Sequence, residues 1–398
     1  LILVDFWPLG ISGGWYWDPI FPDLNLALKM ISCVQSYGDS IYSINTPDGC
    51  GGYTYGYYLA KFFYFLGIGA EQSTAVGIFF FLLLICTISI LSYYAQTTLS
   101  VPIYLLLFAY TSPGIWLGIV GGSFDLLVFG LLVFAYLAYI RKHNLIPFIL
   151  VTFTALMKFF TWPLLLILCL KIIQDKTRLR EVYFSVAVTI IVAWSTINDI
   201  SKVDWNNSGY RMAQGIFHVF GISSINEWAV VFISKVNSDF NGENILANKL
   251  YAYLIFGIIT ICISYRKLSK YNNFISNLKY SRLKVDDNFA SNLVSPIWFF
   301  GTPFLGLFLQ GQNYDQKLLF MIFPAIALIR LQKYLFSSRS LEIYFFVALW
   351  FSCFWPRIFP SWSFVIVQIL GDIAVTIVAA NLMSFTMVYI YNSTYKRI

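Results

Sequence analysis

Ala75-Val-Gly-Ile-Phe-Phe-Phe-Leu-Leu-Leu-Ile-Cys-Thr-Ile-Ser-Ile-Leu-Ser-Tyr-Tyr94 contains no charged side chain. Such a run is long enough to cross the hydrocarbon core of a bilayer as a helix, which takes about 20 apolar residues. It also has no polar face to turn toward water. Working outward, the same pattern recurs over 101–117, 124–140, 145–157, 163–170, 182–194, 251–263, 294–309, 318–329, 343–355 and 364–389. With a first helix that ends at Leu1–Val4 or lies upstream, the chain makes roughly 11–12 crossings. Residue 1 is Leu, so the N-terminus is expected to be incomplete. The predicted fold class is all-α, a polytopic transmembrane helical bundle, with residues 1–398 forming a single transmembrane domain.

Composition agrees. Of the 398 residues, 59% are hydrophobic and 11% charged, and mean hydropathy is +0.71. Soluble domains carry about 25% charged residues, so this chain cannot cover a water-facing surface. The net charge of +7 is small for the length, and its basic residues sit in short loops. They read as topology determinants and not as a nucleic-acid surface.

Threading the spans alternately puts 17 of the 26 basic residues on one side. These are Arg141, Lys142, the cluster Lys171 to Arg180, the run Arg266 to Lys284, Arg330, Lys333, Arg339, Lys396 and Arg397. The other side holds Asp5, Asp18, Asp23, Asp39, Asp48, Asp199, Asp204, Asp239 and Asp315. The positive-inside rule makes the first side cytoplasmic. The first outer loop and interfacial segment, 1–73, and the outer loop 197–249 then face the periplasm or a lumen. Within the latter, 211–236 alternates apolar and polar residues in a way that suits an interfacial amphipathic helix or a packed loop helix.

One stretch needs more than hydropathy. Both Arg141-Lys142 and Lys171–Arg180 are on the basic side, so residues 143–170 must cross an even number of times. The simplest solution is a hairpin of two short helices broken at Lys158-Phe-Phe-Thr-Trp-Pro163, with Lys158 at the apex. The alternative is one long helix kinked at Pro163.

Ionisable residues at membrane depth mark function by default. Trp15-Tyr-Trp-Asp18-Pro-Ile-Phe21-Pro22-Asp23 sets two carboxylates among aromatics, where an apolar surround raises a carboxyl pKa and suits it to accept a proton. They could equally be solvated loop acids. Lys158 needs an anionic partner, and a phosphate at headgroup level would serve, unless the side chain merely snorkels. Gln312-Asn-Tyr-Asp315-Gln-Lys317 offers hydroxyl-binding groups, a carboxylate and a cation between two spans, or is an ordinary polar loop. Asp125 in Gly121-Gly-Ser-Phe-Asp125 opens a span, where the helix dipole favours a carboxylate, and Asp372 lies inside the last span. Arg357 could bind a lipid phosphate or anchor the interface. Of the six cysteines, Cys33 and Cys50 share one polar segment and could pair if it faces an oxidising compartment. His143 and His218 are too few for a metal site. There is no Walker loop, dinucleotide-binding glycine pattern or Ser-His-Asp grouping. No cofactor is expected, and a divalent metal has no support.

Several of these residues resemble a known family. Gly122-Ser-Phe-Asp125, an apolar span, Arg141-Lys142, a short apolar helix and then Ala155-Leu-Met-Lys158-Phe-Phe-Thr-Trp-Pro163 look like the central block of family 87 polyprenol-phosphate-dependent glycosyltransferases. Asp23 followed by Gly38-Asp-Ser-Ile-Tyr42 is similar to that family's first-loop Asp and its following turn. Tyr53-Thr-Tyr-Gly56 takes the place of its Tyr-Pro-Pro segment, and Asn313–Lys317 with Pro324 resembles its late loop. Ser123 stands where Asn is usual, and the Pro-Pro is missing. The resemblance covers roughly 20–170 and, more loosely, 311–330.

It implies a mannosyltransferase-like membrane enzyme of the GT-C class, active in glycan biosynthesis. The expected location is a bacterial cytoplasmic membrane, with the active site facing the periplasm. A sugar would pass from a polyprenyl-phosphate donor to a glycan or glycolipid acceptor. Asp23 would be the general base, with Asp18 and Asp5 as further candidates. Lys158, with Lys317 or Arg357, would hold the donor phosphate, and Asp125, Gln312, Asn313, Tyr314 and Asp315 would bind substrate. The bilayer and these substrates are the expected partners. A transporter or lipid flippase with Lys158 and Asp372 along its pathway is the main alternative. Such proteins show paired interrupted helices, whereas this sequence shows one. A non-catalytic scaffold would leave the polar clusters unexplained.

Overall fold

The computed structural model describes residues 21–33, 57–112, 115, 118–119, 122–175, 179–202, 219–220, 249–279, 287–309, 313–351 and 362–395. In chain order, the longer helices are α1 (Pro22–Ser32), α2 (Tyr57–Phe65), α3 (Ser73–Leu99), α4 (Ile103–Tyr110), α5 (Phe124–Ile140), α6 (Leu145–Met157), α7 (Trp162–Asp175) and α8 (Leu179–Lys202). A short strand β1 (Val219–Phe220) follows, then α9 (Lys249–Lys279), α10 (Asp287–Leu309), β2 (Asn313–Tyr314), α11 (Leu319–Phe336), α12 (Ser340–Phe351) and α13 (Trp362–Tyr395). Helix is the answer that lipid imposes, because every backbone N–H and C=O must be satisfied within the segment.

The chain is an all-helical polytopic membrane bundle. Among the described residues, six helical stretches are long and apolar enough to cross a membrane, namely 70–99, 179–199, 252–275, 292–309, 319–336 and 369–392. Four more apolar helices of 10–17 residues, α5, α6, α12 and Phe159–Gln174, accompany them. The expected 11–12 crossings include segments outside the described residues. The span expected over 101–117 is shorter, because α4 ends at Tyr110 with Thr111 at its C-cap. Pro113 disfavours helix in the residue before it and offers no N–H. Within 211–236, Val219 and Phe220 are extended and pair antiparallel with Tyr314 and Asn313. A continuous amphipathic helix through 211–236 is therefore corrected, and the rest of that segment lies outside the described residues.

Two compact units emerge. One comprises α4, the end of α3 and α9 to α13. In it α10 packs on α11, and α13 packs on α9, α10 and α12. Its interior is made by α10 and α11, with 78% and 72% of their apolar windows buried, against 17% for α9. An apolar helix with so little burial has lipid as its natural neighbour. Asp372 is buried on α13.

The other unit contains α1, α2, most of α3 and α5 to α8. Here α5 and α6 pack together, and α6 also contacts α2, α7 and α8. Gly130 lets α5 approach α3, since a Cβ there would come 2.7 Å from Leu83. Cys33, just after α1, is disulfide-bonded to a partner outside the described residues.

The hairpin over 143–170 is present. Lys158 is extended (φ −144, ψ 123) between α6 and the 3-10 turn Phe159–Thr161. Phe148 of α6 packs on Phe184 of α8 with ring centroids 6.4 Å apart. Cys169 of α7 lies 3.9 Å from the hydroxyl of Ser185, the next residue of α8. In one continuous helix, residues 148 and 169 would be about 30 Å apart at 1.5 Å per residue. Their shared level on α8 requires the chain to reverse between them. α5 supplies a second ruler. Its first turn meets Lys158, and near its last residue the Lys171 ammonium donates to the Tyr139 hydroxyl at 2.8 Å.

Candidate active site at the Lys158 apex

The site is built from the first turn of α5 outward. Ser123 is the N-cap; its Oγ accepts from the Asp125 backbone N–H at 3.2 Å and donates to Asp125 Oδ2 at 3.0 Å. Small hydroxyl residues are favoured at this position because they satisfy an orphan N–H of the first turn. Asp125 is thus a first-turn residue and not itself the cap. Its Oδ1 lies 3.3 Å from the Lys158 ammonium, and the two side chains are 4% and 12% exposed. Two residues 33 apart in sequence, each singled out separately, form one buried ion pair. Lys158 is the more open member, and an ammonium has three donors, so its charge can be shared with a further anion.

The apex is braced by its own backbone. Lys158 N–H donates to Thr154 O at 2.8 Å, and Lys158 O accepts from Thr161 Oγ1 at 3.0 Å. Phe160 and Met157 are buried on either side. Trp162 Nε1 donates to Thr196 Oγ1 of α8 at 3.1 Å. One turn beyond Thr196, buried Asp199 accepts from the Tyr57 N–H at 3.1 Å and so caps α2 from a distance. α2 packs in turn through Phe63 on Phe124, the first residue of α5, and through Phe62 on Phe153.

α1 joins the same cluster. Its N-cap is Phe21, with φ 63 and ψ 64, ahead of Pro22 at the first helical position. The Phe21 side chain fills space left by two glycines. A Cβ on Gly122 would sit 2.7 Å from Phe21 Cβ, and one on Gly77 would overlap the ring. Asn25 Nδ2 donates to Ser73 Oγ and Ala70 O at 3.1 and 3.3 Å, tying α1 to the start of α3. The first turn of α1, which carries Asp23, is thereby held against Gly77 and Gly122. The Asp23 backbone is described and its side chain is not. The N-terminal ends of α5 and α7 flank this apex, and helix N-termini favour anions.

Other residues named from sequence fall elsewhere. Asp5, Asp18, Gln312 and Arg357 lie outside the described residues. Asn313 and Tyr314 form β2 in the other unit, and Asp315 and Lys317 lie in the 3-10 turn Asp315–Leu318 after it. The side chains of Asn313, Tyr314 and Asp315 are not described, and Lys317 is half-buried. Phe21 and Asp199 went unrecognised in the sequence. Phe21-Pro22 hinted at a helix start, but nothing local ties Asp199 to Tyr57.

Two substitutions test the scaffold. Gly122→Ala forces a left-handed backbone (φ 67) on a residue with a Cβ, at about 1–2 kcal/mol, before any clash with Phe21. We expect a lower unfolding midpoint and reduced activity together. Asp199→Ala leaves the Tyr57 N–H uncapped and is expected to cost about 1 kcal/mol, read as a shift in the same midpoint.

Fold and site together define an integral membrane protein that gathers ionisable groups at one end of its helices. A family model described as Glycosyltransferase family 87 matches residues 53–276, more than half of the chain, and the chain belongs to that family. It is a membrane glycosyltransferase, which sets aside the transporter and scaffold readings. No curated protein and no solved structure is similar enough to this chain to count as a match.

Proposed function

We propose that the protein moves a sugar from a polyprenyl-phosphate donor to a lipid- or glycan-linked acceptor on the outer face of a bacterial cytoplasmic membrane, with residues 1–398 acting as one GT-C type transmembrane domain. The observation that carries this is the Asp125–Lys158 pair at 3.3 Å. The reaction is a single displacement. The acceptor hydroxyl gives its proton to the Asp23 carboxylate, and its oxygen forms a bond to the anomeric carbon. The bond from that carbon to the phosphate oxygen breaks, and polyprenyl phosphate leaves with the electron pair.

Lys158 stabilises the departing phosphate, a charge that grows in the transition state. Asp125 aims the ammonium and keeps it compensated when no donor is bound. The N-termini of α5 and α7 at the apex add favourable potential. Lys317 and Arg357 remain the candidates for a second cation, and Gln312, Asn313, Tyr314 and Asp315 for sugar binding. Asp18 and Asp5 are the alternative bases. The disulfide at Cys33 supports an oxidising outer compartment for α1.

The test is turnover by the purified protein. Incubated with a radiolabelled polyprenyl-phosphate sugar and a glycolipid extract as acceptor, it should release free polyprenyl phosphate as labelled glycan appears. Transfer from a nucleotide sugar, with the lipid donor untouched, would overturn the reading.

A further inference from the structure

A second cationic cluster lies in the unit built from α9 to α13, and glycosyl transfer does not account for it. Lys267 sits within the apolar stretch Ala252–Ile275 of α9. Its ammonium donates to Asn381 Oδ1 of α13 at 2.7 Å and lies 5.6 Å from the centroid of the Phe336 ring of α11. Gln332 Nε2 donates to the same Asn381 oxygen at 2.9 Å and to the Tyr271 hydroxyl at 3.0 Å. Tyr271, Gln332 and Asn381 are 0%, 1% and 4% exposed. Three helices thus build a buried polar network around an ammonium, and every member besides Lys267 is neutral.

Lys270, one turn on, donates to Leu335 O at 3.4 Å and lies 4.8 Å over the same Phe336 ring. The shared ring brings both ammonium groups into one patch at the C-terminal end of α11. Arg266 and Lys333 are exposed next to it. Capping of α11 explains Lys270. It does not explain Lys267, whose partners among the described residues are an amide oxygen and an aromatic face. A cation withdrawn from water costs several kcal/mol unless an anion answers it.

The depth of the patch says which anion. At the other end of this pair of helices, Tyr253 of α9 donates to the carbonyl of Leu309, the last residue of α10, at 2.6 Å. Lys267 is about 21 Å further along α9, roughly 9 Å short of the full thickness of a hydrocarbon core of about 30 Å, a gap that a lysine narrows by extending its ammonium toward the interface. That puts the ammonium within reach of a headgroup, on the side that the basic loops assign to the cytoplasm. We propose that Lys267 and Lys270, held by Asn381 and Phe336, bind the phosphate headgroup of an anionic phospholipid between α9 and α11. Basic pockets between membrane helices on this face are a recognised way of holding such headgroups.

The experiment is native mass spectrometry of the purified full chain, released from detergent with equimolar dioleoylphosphatidylglycerol and dioleoylphosphatidylcholine. The wild type should retain the anionic lipid preferentially. Lys267→Gln should weaken that retention roughly fivefold, as should Lys270→Gln, and the double variant more. Lys267→Arg and, as a control in another basic loop, Lys142→Gln should retain it. A parallel melt with inorganic phosphate should show no stabilisation approaching that of the lipid. Equal retention of the two lipids, unchanged retention in the double variant, or phosphate alone matching the lipid would overturn the proposal. If Lys267→Gln does not fold, the Lys270→Gln and Lys267→Arg pair decides it.

Discussion

Asp23→Asn is expected to lower the rate of sugar transfer by about 10²–10⁴, the range that a positioned general base contributes, while the protein elutes and melts like the wild type. The amide keeps the shape of the side chain and cannot take the acceptor proton. α1 is held by Phe21 in the Gly77 and Gly122 gap and by the Asn25 contacts, none of which involves the Asp23 side chain, so folding has no reason to suffer. Donor binding should survive, so the loss should fall on kcat. A full-rate Asp23→Asn protein assayed with purified lipid donor would move the base to Asp18 or Asp5, whose Asn variants are the next measurement.

Lys158→Met should fail twice. It removes the cation proposed to hold the leaving phosphate, and it strands a buried carboxylate. Breaking one side of a buried pair costs about 3–5 kcal/mol because the remaining charge has nowhere to go. The double variant Lys158→Met/Asp125→Leu should therefore recover most of the lost stability, since an apolar replacement of a buried pair is often neutral. It should remain inactive. Equilibrium unfolding in mixed micelles and the donor-release assay separate the two effects. A merely structural pair predicts that the double variant regains activity along with stability. Lys158→Arg, which keeps the charge with different geometry, should fold and retain partial activity.

Much of the bundle was legible because lipid simplifies the code. The ends of α5 and α6 fall where the sequence puts them, at Phe124 and Ile140 and at Leu145 and Met157. Ser123, the Arg141–Asn144 loop and Lys158 punctuate those runs visibly. The reversal at Lys158 followed from charge placement, because two apolar runs at 145–157 and 163–170 could equally have formed one long helix kinked at Pro163. Hydropathy also missed the full length of α9, expected over 251–263 and observed over Lys249–Lys279. A helix does not stop where the membrane does, and the basic run after Tyr265 continues it.

The site was half legible. Asp23, Asp125 and Lys158 each stood out as an ionisable residue beside apolar sequence. The pairing of Asp125 with Lys158 depends on α5 and α6 running antiparallel, and the seat of α1 depends on Phe21 entering a slot made by two distant glycines. No local spacing encodes those contacts. The segment 211–236 shows the reverse error. Its apolar periodicity resembled a helix, yet Val219 and Phe220 pair with β2, an edge contact that outweighs intrinsic preference over so short a stretch.

The central claim is that the Lys158 apex is where the donor phosphate is held. The most direct measurement is a structure of the Asp23→Asn protein, stalled before transfer, with a polyprenyl-phosphate sugar bound in a lipid nanodisc. The account predicts a phosphate oxygen within about 3 Å of the Lys158 ammonium, with Asp125 still on its other side and the anomeric carbon turned toward residue 23. A donor phosphate bound elsewhere in the protein, with the Asp125–Lys158 pair closed as it is now, would contradict it.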